Sequence, residues 1–280
     1  MGLFARLKSV FSKKKNPPVL GLALGSGGAK GLAHLGALKA FEEEGIEFQI
    51  VTGTSIGAIA GALYAKGYTS ADMTGIIESL NRKEFSSNLR PFADLAFAEE
   101  FLSQYLEGDM SSLKKPFACW ATDGSNNEGV LLNSGNIARA VTASAAIPPF
   151  FRAVEIDGVR LYDGVYTNAI PADVCREMGA DIVVSIDLSA YVRPDEEKGR
   201  LSRLVGSAIN AFVPVKTLDN AKSRGYDATD VMLKPYLYDY RATDVAPAAM
   251  DAMMEIGYNE AKDKMQEIKD AINNFKRNKN

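Results

Sequence analysis

Apolar positions along this chain follow two rhythms. Pro18-Val-Leu-Gly-Leu-Ala-Leu24 and Phe48-Gln-Ile-Val51 are short apolar runs bounded by glycine, as expected of strands buried on both faces. Between them, Ala29 to Phe41 spaces its apolar side chains three and four apart, the period of a helix, and Ala58-Ile-Ala-Gly-Ala-Leu-Tyr64 predicts a second, buried helix. The order from residue 18 is therefore strand, glycine turn, helix, strand, sharp turn, helix. That is the cadence of a βαβ unit with a parallel sheet, and it sets both turns at one sheet edge, where open α/β sheets bind ligands.

Further along, residues 70–108 read as helices joined at Arg90-Pro91, with Phe92, Phe97 and Phe101 among their core candidates. Residues 117–132 predict a hairpin, 134–146 a helix, and Ala153 to Tyr162 a second hairpin turning at Asp157-Gly158. Asp181-Ile-Val-Val-Ser-Ile-Asp-Leu188 predicts another interior strand, and charged Tyr191 to Arg200 a surface linker too short to separate domains. Met250, Met254, Tyr258, Ala261, Met265, Ile268, Ile272 and Phe275 form one helical stripe over 246–275. A docked amphipathic helix explains the stripe, with pairing to a second copy as the alternative. The alternation favours a single domain over residues 18–280.

Composition narrows the class. The chain has 280 residues, 46% apolar and 24% charged, with net charge −3. Cys119 and Cys175 lie in apolar surroundings without metal or disulfide spacing, and one histidine does not make a zinc site. A cytoplasmic location without metal is the plain expectation. There is no run of 18 apolar residues and no secretory signal pattern. Residues 1–17 differ from the rest: Arg6, Lys8, Lys13, Lys14 and Lys15 give +5 without an acid, leaving −8 for the remainder. Leu3, Phe4, Leu7, Val10 and Phe11 share a helical face there, so the segment suits either a membrane-surface anchor or a solvated basic tail. The acidic body argues against nucleic acid.

The glycine turn, Gly25-Ser-Gly-Gly-Ala-Lys-Gly31, is not a P-loop, because Lys30 precedes Gly31 rather than Ser or Thr. It fails the dinucleotide pattern too, with Lys30 at the last glycine position. What remains is a row of backbone N–H groups from Gly27, Gly28 and Ala29 at a helix N-terminus, suited to any anion, an oxyanion included. Gly53-Thr-Ser55-Ile-Gly57 follows a strand and precedes a helix. Its flanking glycines let the two approach closely while holding the Ser55 hydroxyl out of the sheet.

A nucleophilic serine needs a base, and the lone histidine, His34, precedes Ser55 and sits within the first helix, where packing or hydrogen bonding is its expected role. A carboxylate paired directly with the serine is the economical alternative. Asp123, Asp157, Asp163 and Asp187 all fall at strand ends. Asp123 and Asp157 already have turn explanations, and composition favours Asp163 only weakly over Asp187.

Ser26-Gly-Gly-Ala-Lys-Gly31, Gly53-Thr-Ser-Ile-Gly57, Ala143-Ser-Ala-Ala-Ile-Pro-Pro-Phe150 and Asp163-Gly-Val165, in that order, resemble the patatin-like phospholipase family. They are most similar to its short bacterial members related to neuropathy target esterase. The resemblance runs from about residue 18 to 190 and more faintly through Asp230 and the C-terminal helix. It implies a patatin-type three-layer α/β fold with a central, mostly parallel sheet. It also implies a Ser55–Asp163 dyad, an oxyanion hole from Gly27, Gly28 and Ala29, and support of the anion by Lys30. The implied chemistry is hydrolysis of fatty-acyl esters of phospholipids or lysophospholipids through an acyl-enzyme, with no cofactor.

Three departures stand out: Ser26 for the usual first glycine, Lys30 for arginine, and Val165 for glycine or alanine. Lysine loses the bidentate fork, and serine is disfavoured should position 26 need positive φ. An ordinary aspartate is a feeble base for an alcohol, so Asp163 is expected to be partly buried with a shifted pKa. Two other classes fit the same residues: a thioesterase or small-ester hydrolase, and a non-catalytic lipid-binding or adaptor protein.

Overall fold

Leucines alternate with Gly21 and Ala23 along β1 (Leu20–Leu24), and the strand sends the two sets to opposite faces of a sheet. Leu20, Leu22 and Leu24 join the larger core, whereas Ala23 joins a smaller one with Ala172, Cys175 and Val183. In this computed structural model, residues 17–79, 93–191 and 224–278 are described. The basic segment 1–16, the Arg90-Pro91 junction with Phe92, and linker residues 192–200 lie outside them.

A 3-10 turn (Gly28–Gly31) leads from β1 into α1 (Leu32–Glu43); β2 (Ile50–Thr54) then runs into α2 (Ile56–Lys66). α3 (Ser70–Ser79) and α4 (Ala96–Ser103) precede β3 (Phe117–Asp123), β4 (Gly129–Leu132) and α5 (Ile137–Ser144). β5 (Val154–Ile156) and β6 (Val159–Asp163) form the second hairpin, followed by α6 (Ala172–Glu177), β7 (Ile182–Ile186), β8 (Val231–Leu233) and α7 (Pro247–Asn278). The second strand begins at Ile50 rather than Phe48 and extends to Thr54. Gly53 makes that possible: a Cβ there would stand 2.2 Å from the Gly57 carbonyl. Asp157 and Gly158 have φ of 51° and 79°, the double positive φ that a tight type I′ hairpin turn requires.

Pairing runs β5-β6-β3-β2-β1-β7-β8, with β4 also on β3. β3, β2, β1, β7 and β8 are mutually parallel, and β4, β5 and β6 add antiparallel pairs. β4 pairs with Cys119 to Thr122, a span that overlaps both the part of β3 paired with β2 and the part paired with β6. β2 and β6 must therefore share the opposite edge of β3, one after the other and running head to head. Thr54 lies opposite Trp120 and Asp163 opposite Ala121, so the ends of two strands distant in sequence meet.

α7 lies across α1. A Cβ on Gly36 would stand 1.8 Å from the Met254 carbonyl, and one on Gly257 would stand 2.0 Å from the Ala33 carbonyl, so the helices cross at backbone contact. Met253 and Ile268 are fully buried beneath α7, each contributing roughly 1.5–3 kcal/mol of apolar burial. The stripe that suggested a second copy is used within the chain, and Met253 belongs to it although the periodicity passed over it. Helices on both faces of the sheet give the expected three layers.

Candidate active site

Ser55 stands between β2 and α2 with φ 59° and ψ −124°, a conformation costing a non-glycine residue about 1–3 kcal/mol. The elbow is held by close packing on either side: a Cβ on Gly57 would stand 2.1 Å from the Leu24 carbonyl. The Ser55 N–H donates to Ser144 Oγ at 2.9 Å, and its carbonyl accepts from Ala58 and Ile59. The hydroxyl donates to Asp163 Oδ2 at 2.6 Å.

Asp163 ends β6 and is 1% exposed, more deeply buried than the sequence led us to expect. Its Oδ1 accepts the Val165 N–H at 2.8 Å, its carbonyl accepts Thr122 Oγ1 at 3.0 Å, and its own N–H donates to the Ala146 carbonyl at 3.0 Å. Burial raises its pKa to about 7, against the lowering effects of the Ser55 hydroxyl and the Val165 N–H. The other three candidate acids are placed elsewhere. Asp123 bonds within its own exposed turn to Ser125, Asp157 occupies the hairpin turn, and Asp187 accepts Tyr226 Oη at 2.6 Å.

His34 is fully buried, and one ring nitrogen, Nε2, donates to the Gly25 carbonyl at 2.8 Å. Nδ1 has no partner among the described residues. Desolvation lowers its pKa to about 4, so the ring is neutral near pH 7. The histidine thus supports the glycine loop from below and is not bonded to the serine. His34→Gln, which keeps an N–H donor, is expected to retain ester hydrolysis within about tenfold while losing roughly 1–2 kcal/mol of stability. Initial rates and thermal melts of the variant check both.

The glycine loop abuts the elbow, since a Cβ on Gly31 would stand 2.2 Å from Ile56 Cγ1. Positive φ falls on Gly28 at 58° and not on Ser26, so the serine substitution carries no backbone strain. Ser26 instead donates its N–H to the Ala169 carbonyl at 3.0 Å. One expectation changes here: the Ala29 N–H is taken by the Ala242 carbonyl at 2.8 Å. Those of Gly27 and Gly28 make no hydrogen bond among the described residues, which leaves two of the three expected donors open in this conformation. Lys30 is half-buried in the same turn. Among the described residues no three His, Cys, Asp or Glu side chains converge as metal ligands.

A strained serine at a strand-to-helix elbow, hydrogen-bonded to one buried aspartate beside a glycine loop with open amides, sets an alcohol and a carboxyl group in contact at one edge of an α/β sheet. The chain belongs to the patatin-like phospholipase family, whose description "Patatin-like phospholipase" matches residues 22–176. It is 33% identical over 205 residues to human patatin-like phospholipase domain-containing protein 6, covering 69% of this chain and 14% of that protein. To lysophospholipase nte1 of Emericella nidulans it is 30% identical over 213 residues, 72% of this chain and 14% of the relative. The chain thus spans about one-seventh of the length of these relatives. Among solved structures, VipD from Legionella pneumophila shares the fold with a TM-score of 0.52 at 15% identity, covering 94% of this chain and 73% of that one.

Sequence reasoning missed Ser144 and Thr122, which hold the backbones of Ser55 and Asp163. Ser144 lies within the Ala-Ser-Ala-Ala-Ile-Pro-Pro-Phe stretch already singled out, where a hydroxyl amid alanines in a predicted helix was the available signal.

Proposed function

We propose that this chain is a serine acyl hydrolase that cleaves fatty-acyl esters of phospholipids or lysophospholipids. The 2.6 Å bond from Ser55 Oγ to Asp163 Oδ2 carries the proposal. Family membership and a relative named lysophospholipase support the substrate class.

In this mechanism Asp163 takes the Ser55 proton as Oγ attacks the ester carbonyl carbon. The carbonyl π electrons move onto oxygen, and that oxyanion is met by the Gly27 and Gly28 amides at the positive end of α1, with Lys30 adding charge nearby. Collapse re-forms the carbonyl and breaks the bond to the alcohol oxygen, which leaves with the proton from Asp163. Water then attacks the acyl-Ser55 ester, giving its proton to Asp163. Collapse releases the fatty acid, and the proton returns to Ser55.

A base with a pKa of about 7 gives kcat/KM an acid limb centred near pH 7 instead of near 4. The rate at pH 5 is then about 100-fold below its plateau. A pH–rate profile on a water-soluble ester checks this, and a rate already at its plateau at pH 5 contradicts it.

To test the substrate class, phospholipids, lysophospholipids and acyl thioesters are presented side by side to the protein and to Ser55→Ala. Serine-dependent turnover of the oxygen esters of glycerolipids supports the proposal, whereas turnover confined to thioesters overturns it. No helix among the described residues is long and apolar enough to cross a membrane. We assign contact with a bilayer to residues 1–17, whose five cations and five large apolar residues suit an anionic membrane surface. Deleting residues 2–17 is expected to lower binding to anionic vesicles at least tenfold, at roughly 1 kcal/mol for each cation near the surface. Unchanged sedimentation with the vesicles rejects the anchor.

A further inference from the structure

We propose that the C-terminal end of α5 and the turn that follows it, Ser144 to Ala146, form a clamp that sets the distance between Ser55 and Asp163, with Ser144 as the positioning residue. The proposal rests on the dyad assigned above. A serine with φ 59° and ψ −124° stays there only where its surroundings fix it from more than one side. Its carbonyl is fixed by the first turn of α2, through the Ala58 and Ile59 N–H groups. Its N–H is bonded to one side chain, Ser144 Oγ, at 2.9 Å.

The direction of that bond is settled by the third partner. Ser144 Oγ donates its proton to the Trp120 carbonyl at 2.7 Å, and a carbonyl can only accept. A lone pair is thereby presented to the Ser55 N–H. Two residues on, the Ala146 carbonyl accepts the Asp163 N–H at 3.0 Å. One short turn thus grips the backbone of the serine, the backbone of the aspartate, and the β3 residue beside which β2 and β6 meet.

Ser144 is fully buried, where an unbonded hydroxyl is costly, and both of its hydrogen-bonding roles are used. The clamp has a chemical consequence as well. With its N–H turned to Ser144, Ser55 adds no donor to the oxyanion site, and Gly27 and Gly28 are left to supply it. Displacing a reacting atom by about 1 Å costs on the order of 100-fold in rate, so a clamp that fixes the elbow acts on the chemical step and not on binding.

The test compares kcat, KM and the rate of Ser55 labelling by a fluorophosphonate in the full chain carrying Ser144→Ala or Ser144→Thr. Ser144→Ala is expected to lower kcat and the labelling rate together by about 10- to 1000-fold, with KM within about threefold. Ser144→Thr, which keeps the hydroxyl, recovers most of the loss. Should Ser144→Ala not fold, Ser144→Cys takes its place with the same expected loss, because a thiol is a weak acceptor. A folded Ser144→Ala or Ser144→Cys protein with kcat within twofold of the parent overturns the clamp while leaving the dyad intact. A parent protein that hydrolyses no ester and is not labelled at Ser55 overturns the dyad, and the clamp with it.

Discussion

Replacing Ser55 by alanine is expected to reduce ester hydrolysis by about 10⁴-fold or more, with the fold retained. In the proposed mechanism the serine contributes the attacking oxygen, and the neighbouring Ser144 Oγ, committed to the Trp120 carbonyl, is not free to replace it. Removing one hydroxyl from a strained elbow leaves no bulky cavity, and alanine tolerates φ near 59° about as badly as serine does. The lost hydrogen bond to the buried Asp163 carboxyl sets the stability change, a loss of about 1–3 kcal/mol. A cooperative melting curve beside the lost turnover separates a missing nucleophile from a broken fold.

The second large effect is at Asp163, where activity and stability should move in opposite directions. Asp163→Asn keeps the shape and a hydrogen-bonding oxygen but cannot take a proton from Ser55, so turnover is expected to fall by about 10⁴-fold. The folded carboxyl holds its proton up to about pH 7, whereas an unfolded one releases it near 3.8. The group's stabilising contribution is thus complete below about pH 4 and is lost as the pH rises through 7. At pH 8 the buried carboxylate then costs the native state on the order of 4 kcal/mol, and asparagine removes that cost. The variant should be more stable than the parent at pH 8, with the gap narrowing to about 1–2 kcal/mol at pH 5. Urea unfolding at both pH values measures it, and a variant less stable at pH 8 contradicts the burial assigned to this acid.

How much of this was legible in the sequence depends on how local the cause is. The elbow was legible because its signal lies within five residues: a Cβ on Gly53 would strike the Gly57 carbonyl where strand and helix meet. The strand-helix order and the parallel sheet core follow from apolar period alone, and the double positive φ at Asp157-Gly158 follows from turn chemistry. Asp163 was different. Composition could not separate it from Asp187, because its position depends on β2 and β6 sharing one edge of β3, a pairing between segments 108 residues apart. Family motifs supplied what periodicity could not.

Two other features depend on distant backbone and left no local trace. The Ala242 carbonyl bonds to the Ala29 N–H from the far end of the chain, and nothing in the glycine turn foretells that one of its amides is already used. Ser26 looked unfavourable because a side chain had replaced a glycine, yet the positive φ of the loop lies two residues later, at Gly28. In both cases residue type was read correctly, and the placement came from tertiary contacts.

The central claim is that Ser55 is activated by Asp163 alone. Covalent capture by a fluorophosphonate, followed by peptide mapping, tests it most directly across the parent, Ser55→Ala, Asp163→Asn and His34→Gln. The account predicts one adduct, on Ser55, that is absent in Ser55→Ala, slowed by about 10³-fold or more in Asp163→Asn, and formed within about tenfold of the parental rate in His34→Gln. An adduct on another residue, or a folded His34→Gln protein that no longer reacts while Asp163→Asn still does, would contradict it.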